Sequence, residues 1–342
     1  MADRTLFTGH RVEAYRWLLL DRDDNLVREL DRVEAGQVEL NTNTRLRAGG
    51  SLTVAEELPW MDHRVQPWVS VNGQEWPLGV FVFASPKETH QDGAVKYEVE
   101  LLGKLAVVDG NNLPYTFTAP KDVLVTDVIT QALNAGGVYS LEITPSPLRT
   151  SNVMVWEAGT SLLNIVNDLL ASINYFSLDV DGYGVFKAAP YRPPAQRSIA
   201  WDFQPGAASI HSPQWGVDRD IAAVPNRAVL VSQGGGEEPA LVGVAENHDV
   251  ASPFSFEARG RWITLHESGV EAADQATITA LAERRLLAAS SPSATLDVQH
   301  AVVPVGLNDV VRFRDRSAVV EKFSLQTHPG ALVSATWREV AA

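Results

Sequence analysis

The stretch Pro67-Trp68-Val69-Ser70-Val71-Asn72-Gly73-Gln74-Glu75-Trp76-Pro77-Leu78-Gly79-Val80-Phe81-Val82-Phe83-Ala84 decides the fold class. Trp68 to Val71 is a short β-type run. Asn72-Gly73 takes positive φ readily and is the strongest hairpin signal in the chain, and Trp76 to Ala84 reads as the return strand. The same grammar continues outward on both sides. Val12 to Leu20 is strongly apolar, Asp21-Arg22-Asp23-Asp24-Asn25 is a polar reversal, and Leu26 to Val33 is its partner run. Val38-Glu39-Leu40 and Ser51-Leu52-Thr53-Val54 are shorter runs split by Ala48-Gly49-Gly50, and Lys96 to Leu101 partly alternates charged and apolar residues. Closely spaced strands of this kind predict a barrel or sandwich over residues 1–105.

The period changes in residues 106–198. Pro120 can open a helix in which Val125, Val128, Ile129, Ala132 and Leu133 recur at three and four residues until Gly136-Gly137. Thr160 suits the N-cap of a second helix carrying Leu162, Leu163, Ile165, Val166, Leu169, Leu170 and Ile173, a stripe wide enough to be buried on most sides. Tyr139 to Ile143, Tyr175 to Val180 and Val185 to Lys187 read as strands, the last entered through an Asp181-Gly182 turn. Pro190 to Pro194 marks a boundary, because paired prolines favour an extended linker. Residues 199–342 return to β-type runs at 228–232, 241–245, 295–298, 309–314, 318–325 and 332–339. One helix interrupts them, from about Glu271 to Ala289, with Ala276, Ile278, Leu281, Ala282, Leu286 and Leu287 apolar; it belongs to a helical insertion near 246–291. Gly234-Gly235-Gly236-Glu237-Glu238 reads as a hairpin tip. The fold class is therefore α+β and mostly β, in three parts.

The chain has 342 residues, a soft prior of two to three domains at roughly 150 residues each. With 45% apolar and 20% charged residues and a net charge of -14, it reads as a folded, acidic protein. No cysteine is present, which excludes thiolate nucleophiles, cysteine-held zinc, iron-sulfur clusters and disulfides. An acidic surface repels nucleic acid, since binding it normally needs Lys and Arg to displace counterions. No stretch approaches 18 apolar residues, and Met1 to His10 lacks a secretory pattern, so neither a membrane span nor a signal is expected.

The inventory of reacting groups is empty. The histidines at 10, 63, 90, 211, 248, 266, 300 and 328 share no metal-binding spacing. Asp21 to Asn25 begins like a calcium loop but puts Leu26 where Gly is needed and Arg32 where a bidentate Glu is needed, so it reads as a solvated tip. The Gly234 run lacks the Lys and Ser/Thr of a phosphate loop, and Gly49-Gly50-Ser51-Leu52 is no nucleophile elbow. Asp168 and Asp202 sit beside apolar residues where an acid can be tuned, without a second partner in view. The tryptophans at 17, 60, 68, 76, 156, 201, 215, 262 and 337 fall mostly in apolar runs, which points to packing or an interface. No catalytic residue, cofactor or metal site is assigned.

Several segments carry a family resemblance. Trp76-Pro77-Leu78-Gly79-Val80-Phe81-Val82, Tyr115-Thr116-Phe117-Thr118-Ala119-Pro120 with Val125-Thr126-Asp127-Val128-Ile129, Trp156-Glu157-Ala158-Gly159-Thr160-Ser161-Leu162-Leu163, Asn167-Asp168-Leu169-Leu170 with Asn174-Tyr175, and Pro304-Val305-Gly306-Leu307-Asn308-Asp309-Val310-Val311 resemble bacteriophage tail hub proteins. The likeness is to the minor tail proteins of long-tailed actinobacterial phages in particular. The resemblance implies two tube-like β-barrel domains, 1–105 and 199–342, flanking a mixed domain, 106–198. It also implies a homotrimeric ring of six barrels at the distal end of a virion tail, adapting a sixfold tube or distal tail ring to a threefold tip. Implied partners are the distal tail, tail tube and tape measure proteins and a tip fibre or spike, with DNA passing through the lumen unbound. An acidic lumen suits that passage by repelling phosphate. Many relatives continue into a peptidase or wall-degrading domain; this sequence stops at Ala342, so no lytic activity is carried over. Two other readings stay open: a carbohydrate-binding adhesin using exposed Trp and Tyr, and a cell-wall hydrolase with an unfamiliar constellation.

Overall fold

At the Asn72-Gly73 hairpin the two residues have φ of 50° and 85°, the left-handed pair that lets a two-residue turn follow the strand twist. Val71 faces Gln74 and Trp68 faces Pro77 across it. The computed structural model describes residues 5–91, 93–150, 152–219, 221–232, 240–270, 275–289 and 294–340. A short helix α1 (Thr5–Thr8) precedes eight strands: β1 (Glu13–Leu20), β2 (Leu26–Glu29), β3 (Val33–Asn41), β4 (Ala48–Val54), β5 (Arg64–Val71), β6 (Gln74–Pro77), β7 (Phe81–Gln91) and β8 (Ala94–Gly103).

Two expectations change here. The return strand from Trp76 to Ala84 is two strands, β6 and β7, because Pro77 has no N–H with which to continue a ladder. Gly49 and Gly50 do not split two runs; they lie inside β4, where a Cβ on Gly50 would stand 2.1 Å from the Gln37 carbonyl oxygen. Glycine lets the two backbones approach. The reversal falls instead at 42–47, closed by the Asn41 amide donating to the Arg47 carbonyl at 2.7 Å.

The middle segment holds α2 (Ala106–Asp109), β9 (Phe117–Ala119), α3 (Val125–Ala135), β10 (Leu141–Ile143), β11 (Met154–Trp156), α4 (Leu162–Ser172), β12 (Asp179–Val180) and β13 (Phe186–Ala188). Helix α3 starts at Val125 rather than Pro120. Helix α4 is capped by Ser161, whose hydroxyl accepts from the Asn164 amide, while Thr160 donates its own hydroxyl to the Glu157 carbonyl. Leu162, Leu163, Ile165, Val166, Leu169 and Leu170 are each at most 1% exposed, so α4 is the buried axis of this segment. Each such side chain contributes about 1.5–3 kcal/mol of hydrophobic stabilisation. Tyr175 to Val180 is strand only at β12, since Asn174 adopts φ 56° and turns the chain.

The last segment contributes β14 (Ile199–Phe203), β15 (His211–Asp218), β16 (Arg227–Ser232), β17 (Val242–Glu246), α5 (Phe256–Arg259), β18 (Thr264–Val270), α6 (Gln275–Ala289), β19 (Thr295–Ala301), β20 (Val310–Phe313), β21 (Arg316–Gln326) and β22 (Leu332–Glu339). Strands β14, β15 and β18 had no counterpart in the sequence reading. The Gly234 run, the helix start at Glu271 and the Leu287 side chain lie outside the described residues.

The chain divides into two compact units, 1–215 with 297–337, and 216–296 with 338–342. In the second, β17, β16 and β18 form a sheet in that order, with β18 parallel to β16. Ile278, Ala282 and Leu286 of α6 pack on Ala228, Leu230 and Ala245 of that sheet. The segment expected as a helical insertion thus carries a strand, β18, as well as helices. In the first unit a fourteen-stranded sheet runs β15-β19-β22-β21-β3-β4-β8-β7-β5-β1-β2, with β14, β20 and β6 attached at its sides. Its seam is β3 against β21, where Val38 faces Leu325 and Glu39 faces Ser324. Residues nearly 290 positions apart are thereby neighbours. Among the described residues the order is an open path ending at β2 and β15, not a closed ring. The protein is mostly β, and among the described residues no helix is long and apolar enough to cross a membrane.

Candidate functional site

Alternation along the long sheet gives it two unlike faces. Val38, Leu52, Val54, Val99, Leu101, Val298, Leu325, Val333 and Trp337 are buried at 3% exposure or less. Between them, pointing the other way, stand Gln37, Glu39, Ser51, Thr53, Glu98, Glu100, Asp297, Gln299, Lys322, Ser324, Ser334 and Thr336, all half-buried or exposed. Pairing places them on one surface: Gln37 faces Gln326 and Ser51, Glu39 faces Ser324, Ser51 faces Glu100, and Thr53 faces Glu98. Side-chain hydrogen bonds cross the strands on this side. Gln37 Nε2 donates to Ser324 Oγ at 3.0 Å, Gln326 Nε2 to Gln37 Oε1 at 2.9 Å, and Thr336 Oγ1 to Asp297 Oδ1 at 2.9 Å. Gln214, Asp297, Lys322 and Thr336 line a shallow depression at the β15 end.

The chemistry of this face is uniform: short hydroxyls, amides and carboxylates on a rigid ladder, with few cations. Lys87 pairs with Glu98 at 3.7 Å and Lys96 with Glu34 at 2.5 Å, so both lysines at the β7–β8 end have carboxylate partners. Strands β3, β4, β7, β8, β19, β21 and β22 carry eight carboxylates, Glu34, Glu39, Glu88, Glu98, Glu100, Asp297, Glu321 and Glu339, against three lysines, Lys87, Lys96 and Lys322, so the sheet is acidic but does not hold most of the -14 charge. Among the described residues such a surface lacks the Arg and Lys clusters that grip phosphate. No residue of this face stands out in the sequence as a reacting group. Its signal, period-two alternation in β8 and β22, is visible in the sequence; which strands neighbour one another is not.

The residues considered as reacting groups are dispersed by the fold. Asp168 Oδ2 accepts from Trp156 Nε1 at 2.8 Å, and Asp202 accepts from Gln204 at 2.6 Å and lies 3.7 Å from Arg312. Each carboxylate has a structural partner. No tryptophan is exposed: 17, 156, 201 and 337 are buried and the other five half-buried, so of the aromatic platforms an adhesin would present only tyrosines stand out, Tyr115, Tyr139, Tyr183 and Tyr191. His300 is 1% exposed among Phe203 and Trp337, its Nδ1 donating to the Ala301 carbonyl at 2.8 Å, and burial pushes its pKa down to about 4. His211 packs on Phe313 in the same aromatic cluster. In the second unit His248 bridges Glu257 at 2.7 Å and Glu246 at 3.2 Å, and those bonds raise its pKa while holding both carboxyls below their usual range. Among the described residues no cluster of three or more His, Asp or Glu is placed to hold a metal.

The calcium-like loop is more than a solvated tip. Asp21 caps its own turn, accepting from the amides of Asp23 and Asn25, both at 2.9 Å. Asp24, at φ 66°, turns inward and accepts from Arg64 and from the buried Lys104. Burial, the largest influence, lowers the pKa of Lys104 against the opposing pull of Asp24.

No protein-family model and no curated protein matches the sequence. Solved structures do match the fold. A tail protein from Neisseria meningitidis superposes with a TM-score of 0.67 at 10% identity, covering 95% of this chain and 97% of its own. A prophage tail protein from Shewanella oneidensis gives 0.64 at 9%, covering 95% and 98%. A prophage tail protein from Listeria monocytogenes gives 0.57 at 11%, covering 94% of each. From one end to the other, this chain has the fold of phage and prophage tail proteins.

Proposed function

We propose that the protein is a structural hub of a bacteriophage tail tip, of the kind the quoted segments resemble in actinobacterial phages. The observation that carries the reading is the continuous polar face of the long sheet, borne on a fold like that of tail proteins over almost its whole length. Three copies form a ring in which residues 1–105 and 199–342 act as two tube-like domains per chain and 106–198 as the mixed domain between them. The ring adapts a sixfold tube or distal tail ring above to a threefold fibre or spike below. The polar face lines the lumen, where hydroxyls, amides and a modest excess of carboxylate let DNA slide without adhering. The open strand ends at β2 and β15 are covered by neighbours in the ring, which removes exposed edges as an aggregation hazard. The protein works by geometry rather than turnover.

Cryo-electron microscopy of the tail tip, or of the chain co-expressed with its distal tail and tube proteins, tests this. A threefold ring with Glu39, Glu100 and Ser324 toward the lumen is expected. A chain on the tail's outer surface, or a polar face packed against another protein, refutes it.

A further inference from the structure

A cavity of about 330 Å³ opens between the turn after β1, the end of β8 and the loop after α3. Its floor carries an imbalance of charge. Lys104 lies over the ring of Phe186, 5.0 Å from the centroid, and donates to Asp24 and to the Gly184 carbonyl. Arg64 donates through Nη1 to the other oxygen of the same Asp24 carboxylate at 2.5 Å. Two cations thus share one carboxylate, and the side chains of Lys104, Arg64 and Asp24 are only 4, 13 and 16% exposed. Of the other carboxylates nearby, Asp23 lies 3.8 Å from Arg22 at the mouth, and Asp181 lies 3.1 Å from Lys187, a lysine that Glu142 also holds at 2.8 Å; among the described residues neither accepts a hydrogen bond from Arg64 or Lys104. Burying cations in excess of their counter-charge is unfavourable unless an anion joins them. Among the described residues the remaining N–H groups of Arg64 have no partner, and Arg64 lines the cavity.

We propose that this cavity is an oxyanion site that receives one carboxylate or phosphate group against Arg64 and Lys104. Guanidinium N–H groups match both anions in geometry, and a second cation beside them strengthens the charge-assisted bonds. The rest of the ligand leaves past Arg22 and the exposed ring of Tyr139. Because the walls come from the β1–β2 turn and β5 on one side and from residues 137–140 and Phe186 on the other, an anion here fastens the first β-rich segment to the middle one. The same chemistry arises from a free small anion or from an acidic group of a neighbouring protein.

The test titrates the full chain with inorganic phosphate, acetate and a glutamate-terminated tripeptide at matched ionic strength. It follows the amide resonances of Ser140 and Gly184 together with thermal denaturation. A saturable shift is expected with at least one probe, weakened at least about tenfold in Arg64→Gln and by no more than about fivefold in the exposed Arg22→Gln. Tripeptide binding tighter than acetate identifies a protein-derived acid; phosphate binding alone identifies a free ion. Should Arg64→Gln not fold, Arg64→Lys, which keeps the charge beside Asp24 but loses the guanidinium fork, decides instead: its affinity is expected to fall at least about threefold, and unchanged affinity overturns the proposal. No saturable shift with any probe, or equal affinity in a folded Arg64→Gln, overturns the proposal.

Discussion

Acid should loosen the first unit through His300. The ring is buried against Phe203 and Trp337, with centroids 4.7 and 5.5 Å away, and Nδ1 already donates to the Ala301 carbonyl. A proton added at Nε2 would place a full charge in an apolar cluster, and the nearby Arg11 and His211 disfavour it further, so the pKa falls from 6.5 to about 4. Unfolded chains bind this proton below about pH 6.5, whereas the folded chain resists it until about pH 4. Stability from this residue is therefore complete above pH 6.5 and is lost as pH falls toward 4. At about 1.4 kcal/mol per unit, the loss amounts to about 3 kcal/mol. Urea denaturation at pH 7 and again at successive values down to 4, for the wild type and for His300→Phe, isolates it. Phenylalanine keeps an aromatic ring in place but removes the bond to Ala301, a constant cost of about 1 kcal/mol at every pH. The expected difference between the two proteins shrinks and then reverses on acidification, by about 3 kcal/mol in total. Parallel curves would refute the reasoning, because the acid sensitivity would then belong to other groups.

Three further outcomes follow from the geometry. Gly50→Ala should destabilise by about 2 kcal/mol or more in thermal melts, since the new methyl meets the Gln37 carbonyl at 2.1 Å within a paired ladder. Ser161→Ala should cost about 1 kcal/mol by removing the α4 cap, while Thr160→Val, at the position expected to be the cap, costs less. In the second unit, the charged form of His248 is held by Glu257 and Glu246, with Arg227 on Glu246 and the rings of Phe256 and Trp262 beside it. Its contribution is complete below the ordinary histidine pKa and disappears as pH rises through the raised one. An NMR titration midpoint at or below 6.5 would contradict that assignment.

What the sequence discloses is whatever its neighbours along the chain decide. Asn72-Gly73 fixes its hairpin because positive φ at two adjacent residues is a local property, and the α4 stripe fixes a buried helix because seven apolar residues recur at its own period. The errors share one cause. Gly49-Gly50 reads as a break when only the sequence is considered, yet it is demanded by Gln37 across the ladder, a contact made in space. Strand β15 escapes notice because His211-Ser212-Pro213-Gln214-Trp215 has little alternation of its own; pairing with β19 makes this segment a strand. Asp24 reads as one of several solvated acids, and only Lys104, 80 residues later, shows what it faces. For the polar face, the alternation that builds it is legible strand by strand, but its extent depends on strand order.

That order has a consequence for how the molecule holds together. Among the described residues the polar face crosses from the early strands to the late ones at β3–β21, so its continuity there depends on five paired positions, Gln37 to Asn41 against Lys322 to Gln326. On the inner side of this seam Val38 and Leu325 are both fully buried, while on the outer side Gln37 ties Ser324 and Gln326 by side-chain bonds. The seam therefore joins two faces at once: an apolar contact that excludes water and a polar ladder that keeps register. A one-residue slip would exchange them, putting Glu39 into the core and Val38 on the polar surface. The burial of Val38 and Leu325 is what forbids the slip, and so the hydrophobic side of the sheet determines which residues its polar side displays.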